Sequence, residues 1–186
     1  MRRTHVGRDS SVKFSKGQII VHPQHGPATV DKLSTRKIRG ESKRYLMLTV
    51  RSDGMEVALP VDLAEELGVR AVVDADGVKE IFELLVADSE PFDNVWSRRF
   101  KSYTERLRSG NLRTLAGLIR DLARRNEEKK VSYGEANILR EATATFAAEL
   151  AIALKVSEEQ VEEMIFTAVL EREVPPLTAE ALALAS

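Results

Sequence analysis

Cysteine is absent from this chain of 186 residues. Without a thiol the protein has no disulfide, no thiolate zinc site, no iron–sulfur cluster and no cysteine nucleophile. Aromatic residues are scarce, at 5% of the sequence, and tryptophan occurs once. The longest apolar run is far too short to span a bilayer, and no apolar signal-peptide core follows the basic N-terminus. We therefore expect a soluble, cytoplasmic protein.

The sequence also lacks the common motifs of catalysis and nucleotide binding. No Walker A loop, no dinucleotide fingerprint and no G-x-S-x-G elbow occurs. His22 and His25 flank a predicted turn, but a metal site needs three or four ligands and His5 is the only other histidine. A histidine that hydrogen-bonds to hold a turn beside Gly26 is the better interpretation. We predict no enzyme activity, no cofactor and no metal.

The net charge of −1 is unusual for a protein that binds nucleic acid. This neutrality arises from four blocks of alternating sign. Residues 1–50 carry a net charge of +8 and residues 51–95 a net charge of −9. Residues 96–130 then carry +7, and residues 131–186 carry −7. Such alternation indicates charged partners, but pairing of basic and acidic blocks inside one fold would explain it equally well.

The hydrophobic pattern changes from strands to helices after Pro60. Short runs rich in β-branched residues, separated by turn formers, precede it, and Asp53-Gly54 predicts a hairpin. Apolar residues of helical period follow, and capping boxes at Ser132–Glu135 and Ser157–Gln160 predict two helix starts. The predicted fold class is α+β, with a small Tudor- or SH3-like β-barrel followed by a compact all-α domain of about five helices.

Apolar stripes predict the buried face of each helix. They are Val78, Ile81, Phe82 and Leu85; Trp96, Phe100, Tyr103 and Leu107; Leu115, Leu118, Ile119 and Leu122; Leu139, Ala142, Phe146 and Leu150; and Val161, Met164, Ile165 and Ala168. We expect the β-domain to span residues 13–65 and the helical domain residues 66–172. Residues 1–12 and 173–186 are expected to be tails.

Residues 96–130 interleave basic and aromatic side chains, as in proteins that contact DNA. Arg113, Arg120 and Arg124 recur at helical spacing opposite the leucine stripe, where they would follow a row of phosphates. The single tryptophan, Trp96, has two interpretations. It begins an apolar stripe, which favours core packing, but from the first turn of a helix it would also reach a base step as an apolar wedge.

Short segments in a fixed order cover about residues 14–170. They read GQIIVHPQHG at 17–26, TRKIRGE at 35–41, YLML at 45–48, PV at 60–61, ELGVR at 66–70, NVWSRRFK at 94–101 and SGN at 109–111. In this succession the chain resembles the CarD/CdnL family of bacterial transcription regulators. The resemblance implies a Tudor-like domain that binds the β subunit of RNA polymerase, followed by a helical domain that contacts promoter DNA.

The polymerase contacts implied by the resemblance lie in the second segment. Arg36 matches a basic residue that contacts polymerase, and Lys37 and Arg39 lie beside it. Ala58 departs from the family pattern, because some members carry a second basic contact there. We therefore expect an interface that is weaker, or that relies more on the three basic residues.

The DNA contacts implied by the resemblance lie in the segment at 94–101. Trp96 matches a tryptophan that wedges into the minor groove at the upstream edge of the melted bubble. Arg98, Arg99 and Lys101 would contact phosphates or the groove beside it. The implied protein is a nucleoid-associated regulator that stabilises the promoter open complex, with no membrane partner and no small-molecule substrate.

Two other classes of function remain open from the sequence. A free-standing DNA-binding repressor would bind an operator without polymerase, through a recognition helix that the sequence does not reveal. A structural adaptor without DNA contact would pair its charged blocks internally, and it would not bind DNA at any salt concentration.

Overall fold

The computed structural model describes residues 14–38, 41–64 and 66–177. Its N-terminal part is an antiparallel sheet of five strands in the order β4-β3-β2-β1-β5. The strands are β1 (Ile19–His22), β2 (Gly26–Ile38), β3 (Glu41–Val50), β4 (Glu56–Pro60) and β5 (Arg70–Ala71). One 3₁₀ turn, Val61–Leu63, follows β4. Within the described residues the two edge strands, β4 and β5, are not paired with each other, so the sheet is open rather than a closed barrel.

The helical part follows the sheet and contains five helices in the described residues. They are α1 (Ala75–Val86), α2 (Trp96–Arg108), α3 (Leu112–Glu128), α4 (Tyr133–Leu154) and α5 (Glu158–Glu171). A β-domain followed by a domain of about five helices confirms the predicted fold class. None of these helices combines the length and the apolar character needed to cross a bilayer.

Turn chemistry explains where the strands reverse. Gly54 adopts a positive φ of 72°, and the Met55 amide donates to the carboxylate of Asp53 at 3.0 Å. These contacts join β3 to β4 and confirm the predicted Asp53-Gly54 hairpin. At the β1–β2 turn, the amide of Gln24 donates to Nδ1 of His22 at 3.2 Å. This bond agrees with the interpretation of a histidine that holds the turn.

The long strands β2 and β3 extend beyond the rest of the sheet. Ladder pairing with β1 uses only the first four residues of β2, and pairing with β4 uses only the second half of β3. Residues 35–38 and 41–44 therefore pair only with each other, and they form a two-stranded ribbon that we call the basic ribbon. Its β3 strand is exposed on both faces over Glu41–Arg44.

The predicted buried faces of α1 and α3 are confirmed, but on α2 only Tyr103 of the predicted stripe is buried, and Trp96, Phe100 and Leu107 remain partly exposed. Both capping boxes form, with Ser132 and Ser157 as the caps of α4 and α5. The stripe of α1 is fully buried, as predicted. On α4 the predicted Leu139 is only half-buried, and the adjacent Ile138 takes the core position. The reason is that α4 is covered on more than one side, so its buried face is wider than a single stripe.

Two of the contacts that join the sheet to the helices in the described residues lie outside the apolar cores. Arg70, in β5, donates from both Nη atoms to the buried carboxylate of Glu149, in α4, with one bond of 2.8 Å. The amide of Val73 donates to the same carboxylate at 3.1 Å. At the second contact, a Cβ on Gly110 would lie 2.5 Å from the carbonyl oxygen of Pro23. The helical part is thus held against the sheet by a charged clamp and by a close backbone approach.

Glu149→Gln tests the clamp. The amide keeps the shape of the side chain but loses its charge and offers one acceptor oxygen to three donors. We expect the free energy of unfolding to fall by about 1–3 kcal/mol, the usual cost of leaving buried polar groups unsatisfied. Urea unfolding measures the change. Asp76→Asn is the control, because its pair with Lys79 is largely exposed and should contribute almost nothing; equal losses in the two variants would contradict the clamp.

Candidate nucleic-acid interface

Trp96 lies at the first position of α2 and is 51% exposed. Its indole ring stacks on Phe100, one turn later, with ring centroids 5.1 Å apart and planes 21° from parallel. The indole N–H donates to the hydroxyl of Ser132 at 3.3 Å. The tryptophan is therefore neither a core residue nor a free surface side chain. One face is braced and half of its area is open to a partner.

The loop before α2 fixes the start of that helix. Val95 is the N-cap and has no side chain that accepts a hydrogen bond. The carboxylate of Asp93 accepts from the amide of Val95 at 2.8 Å, so it holds the N-cap residue in place without capping the free amides of the first turn. The other carboxylate oxygen of Asp93 pairs with Arg98 at 3.2 Å. This local bonding orients the first turn of α2, from which Trp96 projects.

A buried ion pair lies directly beneath Trp96. Arg99 is 6% exposed, and its Nε donates to the carboxylate of Glu135 at 2.8 Å. Glu135 also accepts from the amide and the hydroxyl of Ser132. Burial by itself raises the pKa of Glu135, but the hydrogen bonds from Arg99 and Ser132 outweigh it, and the pKa lies below its ordinary value. The ionised Glu135 therefore stabilises the folded protein at any pH above the pKa that this carboxyl has in the unfolded chain. This contribution is lost as the pH falls through the lower pKa that it has in the folded protein.

Phe92 covers the outer side of this ion pair. The guanidinium of Arg125 lies 4.5 Å from the centre of its ring, and that of Arg99 lies 5.9 Å from it. Both distances are within the range of cation–π attraction. The ring itself is about half-exposed. The loop of residues 87–95 thus packs on the charged centre and adds a second aromatic surface near Trp96.

Three of the predicted DNA contacts are buried. Arg99, Arg120 and Arg124 are each less than 10% exposed, so the predicted exposed row of arginines along α3 is wrong. The helix is central, and it packs against α1, α2, α4 and α5. A stripe of leucines identifies one buried face of a helix, but it does not tell whether a further element covers the opposite face.

Arg120 and Arg124 instead serve the fold. Arg124 donates to the carbonyl oxygens of Leu85, Val86 and Ala87, which are left without helical partners at the end of α1, and to that of Val169 in α5. The positive charge also suits the negative end of the α1 dipole. Arg120 pairs with the carboxylate of its neighbour in sequence and donates to a carbonyl of α1 at 3.2 Å.

The remaining basic candidates are exposed. The side chains of Arg98 and Lys101 are 70% and 78% exposed and lie within the first two turns of α2, close to Trp96. Arg113 is also largely exposed, and each of the three has an acidic partner: Arg98 pairs with Asp93, Lys101 with Glu105, and Arg113 with Glu80 of α1. The structure therefore brings Arg98 and Lys101 together with Trp96, and it leaves Arg113 on another part of the surface, at the start of α3.

Two exposed aromatic residues near Trp96, Phe92 and Tyr133, are not among the residues that the sequence predicted. Tyr133 is 84% exposed at the first position of α4, immediately after Ser132. The only signal in the sequence is its position inside a capping box, where a polar residue is more usual than an aromatic one. Lys129 and Lys130, which precede it, are exposed as well.

The basic ribbon carries the candidate polymerase contacts. Arg36 is exposed on β2 and lies over the ring of Tyr45, with 5.6 Å from the guanidinium carbon to the ring centre. It is paired in register with Lys43 of β3, so two cations face each other across the ladder. Like charges in this position are unfavourable for the sheet. Lys37 points to the other face because side chains alternate along a strand, and Arg39 lies outside the described residues.

The two histidines of the β1–β2 turn do not gather further ligands. Their ring centroids are 4.7 Å apart, and His22 is buried while His25 is not. Burial, with a smaller contribution from His25, lowers the pKa of His22 and favours the neutral ring that accepts the turn hydrogen bond. Among the described residues no cluster of three or more metal-ligating side chains occurs.

Ser132→Ala tests whether the α4 cap braces Trp96. The variant loses the indole hydrogen bond and the capping bond, and we expect about 1 kcal/mol lower stability and a more mobile indole. Because the chain has one tryptophan, the decay of its fluorescence anisotropy reports on Trp96 alone. Ser157→Ala removes the matching cap of α5 and should cost similar stability without changing the anisotropy. An unchanged indole in Ser132→Ala would contradict the brace.

Comparisons with known proteins match the sheet and the helices of this chain to two separate domains. The CarD-like/TRCF RID domain matches residues 14–73, which include all five strands, and the CarD C-terminal domain matches residues 80–166, within the five helices. A protein of Bacillus subtilis (strain 168), named "Putative transcription factor YdeB", is 24% identical over 149 residues. The aligned region covers 80% of this chain and 97% of that protein. The chain therefore belongs to the CarD family of transcription regulators.

Proposed function

We propose that this regulator binds the β subunit of RNA polymerase through its sheet and stabilises the promoter open complex through the start of α2. Trp96 would enter the minor groove at the upstream edge of the melted DNA, with Arg98 and Lys101 on the adjacent phosphates. The observation that carries the proposal is the half-exposed, braced indole. An aromatic ring held in place loses little conformational freedom on binding, so more of its contact energy is retained.

The polymerase side of the proposal is supported by the basic ribbon. Arg36 and Lys43 face each other at a cost to the sheet, and such a cost is typical of residues kept for a partner. An acidic protein surface would relieve this repulsion. Ala58, which is paired in register with Met47, leaves the neighbouring part of the same face without a charge. The proposed interface is therefore centred on Arg36.

The DNA side of the proposal needs few contacts. Phosphate contacts position a protein without reading the sequence, and an apolar wedge fits best where base pairs are already unstacked. A protein that contacts melted DNA more favourably than closed DNA shifts the equilibrium by that difference and no more. The buried positions of Arg99, Arg120 and Arg124 reduce the exposed positive charge of the helices. We therefore expect weak binding to free duplex DNA and little sequence preference.

Co-purification with core RNA polymerase, followed by a promoter-opening assay with and without the protein, tests the proposal as a whole. We expect a stable complex with polymerase and a longer lifetime of the open complex. Tight operator binding without polymerase would favour a free-standing repressor instead. Binding to polymerase without any salt-dependent effect on DNA would favour a structural adaptor.

A further inference from the structure

We propose that Tyr133, together with Lys129 and Lys130, forms a second nucleic-acid contact beside Trp96, where the tyrosine ring stacks on an unpaired base at the edge of the melted DNA. This inference rests on the proposed function and extends it to a surface on a different helix. The ligand is a single-stranded nucleotide, bound through the face of its base and through its phosphate.

The position of Tyr133 is defined by its two neighbours in the chain. The hydroxyl of Ser132 accepts from the indole of Trp96. A Cβ on Gly134 would lie 2.8 Å from the ring of Phe100, on which Trp96 stacks. Both residues that flank Tyr133 therefore contact the aromatic pair of α2. The backbone of Tyr133 lies within a residue's length of the Trp96 brace, since consecutive Cα atoms are 3.8 Å apart.

The exposure of Tyr133 is unusual for an aromatic side chain. It is 84% exposed, the largest value among the exposed large hydrophobic residues that the structure describes. Tyrosine normally buries its ring and leaves only the hydroxyl in water. No core contact explains this position, whereas a ring presented to solvent beside basic residues is typical of surfaces on which bases stack.

The segment before Tyr133 supplies positive charge. Lys129 and Lys130 are exposed, and neither forms an ion pair with any residue that the structure describes. The segment has a fixed position, because Val131 is buried and its amide donates to the side chain of Asn126 at 3.3 Å. Two unpaired cations thus lie three and four residues before an exposed ring, and the exposed Glu127 and Glu128 precede them in the chain. This combination matches a strand whose phosphates and bases are both accessible, and it fits a closed duplex less well.

Trp96 and Tyr133 would make different contacts at the border between duplex and melted DNA. Trp96 is braced on one face by Phe100 and therefore acts as a wedge between stacked base pairs. Tyr133 comes from the start of α4 and is free on most of its surface, so it can accept a base that has already left the duplex. Stacking of this kind tolerates every base, because each has a π face.

The experiment uses the full chain, RNA polymerase holoenzyme and a promoter in which single nucleotides at the upstream edge of the bubble are made abasic. With the wild-type chain, removal of the stacked base should shorten the open-complex lifetime about ten-fold at one or two positions. With Tyr133→Ala, the open-complex lifetime on intact DNA should be about ten-fold shorter than with the wild type. An abasic site at those positions should not shorten it further. Tyr133→Phe keeps the ring and should behave as the wild type.

Leu170→Ala is the matched control, because it removes an exposed apolar side chain from α5 and should change nothing. The inference is overturned if Tyr133→Ala keeps the wild-type lifetime or the wild-type pattern of sensitivity to abasic sites. Trp96→Ala separates the two proposals. A shortened lifetime in Trp96→Ala with no effect of Tyr133→Ala overturns only the tyrosine contact, whereas no effect of either variant overturns the proposed function as well.

Discussion

Trp96→Ala is expected to shorten the lifetime of the promoter open complex by roughly 5- to 150-fold, while binding to RNA polymerase stays unchanged. The range corresponds to about 1–3 kcal/mol, the usual contribution of an aromatic side chain that stacks on a base. The loss should appear in the rate at which open complexes collapse, because the wedge contacts the melted state and has no counterpart in the closed one.

The structure makes this substitution a clean test. Trp96 is half-exposed at the start of α2 and belongs to no buried cluster, so its removal should leave the fold intact. The substitution removes the stacking on Phe100 and the hydrogen bond to Ser132. Circular dichroism and urea unfolding measure the fold, and competitor-challenged open complexes measure the lifetime. Trp96→Phe should fall between the wild type and Trp96→Ala, because a smaller ring still fills part of the step.

Equal lifetimes for Trp96→Ala and the wild type would refute the wedge. A reduced affinity for polymerase in the absence of DNA would also be informative, because it would place α2 in the protein interface. Arg98→Ala and Lys101→Ala serve as comparisons. Each removes one exposed cation, and we expect smaller effects that diminish as the salt concentration rises.

Arg36→Glu is expected to lower the affinity for the β subunit by about 100-fold, while the affinity for free DNA does not change. Loss of one partner from a close charge pair across an interface typically costs about 2–5 kcal/mol, and a reversed charge adds repulsion. Pull-down with the isolated β subunit and a titration with duplex DNA measure the two affinities. If only DNA binding is weakened, the assignment of the two domains to their partners is reversed.

Stability provides an internal control for this variant. Arg36 is paired in register with Lys43, so glutamate at this position would replace a repulsive pair with an attractive one. We expect Arg36→Glu to be as stable as the wild type or slightly more stable in urea. A loss of polymerase binding can then be attributed to the interface. Lys37→Glu, which changes the opposite face of the basic ribbon, should weaken binding much less.

Local patterns in the sequence were sufficient to predict most of the helices and turns. The α1 stripe, the two capping boxes and the Asp53-Gly54 hairpin depend on residues only a few positions apart. Such interactions are encoded in spacing, because the geometry of one helix or one turn is fixed. The family resemblance could also be found without a structure, because it depends only on which residues occur in the segments and on the order of the segments along the chain.

The sequence showed where the basic and acidic blocks lie, but it did not show which of their residues pair inside the fold. Arg99 of the second basic block pairs with Glu135, and Arg113 pairs with Glu80, so part of the alternation is resolved inside the fold. Arg98 and Lys101 of the same block also have acidic partners, Asp93 and Glu105, but their side chains stay 70% and 78% exposed. Net charge per block cannot separate these cases, because pairing depends on which helices become neighbours.

By itself the sequence determined the order of strands and helices, the helix caps, the family and the position of the single tryptophan at a helix start. Tertiary structure decided which basic residues remain at the surface, and it turned Arg120 and Arg124 inward to bind the ends of neighbouring helices. It also brought Ser132 and Tyr133 beside Trp96, although they are more than thirty residues apart in the chain. The physical reason is that a helical period defines one buried face of one helix, whereas exposure depends on every element that packs around it.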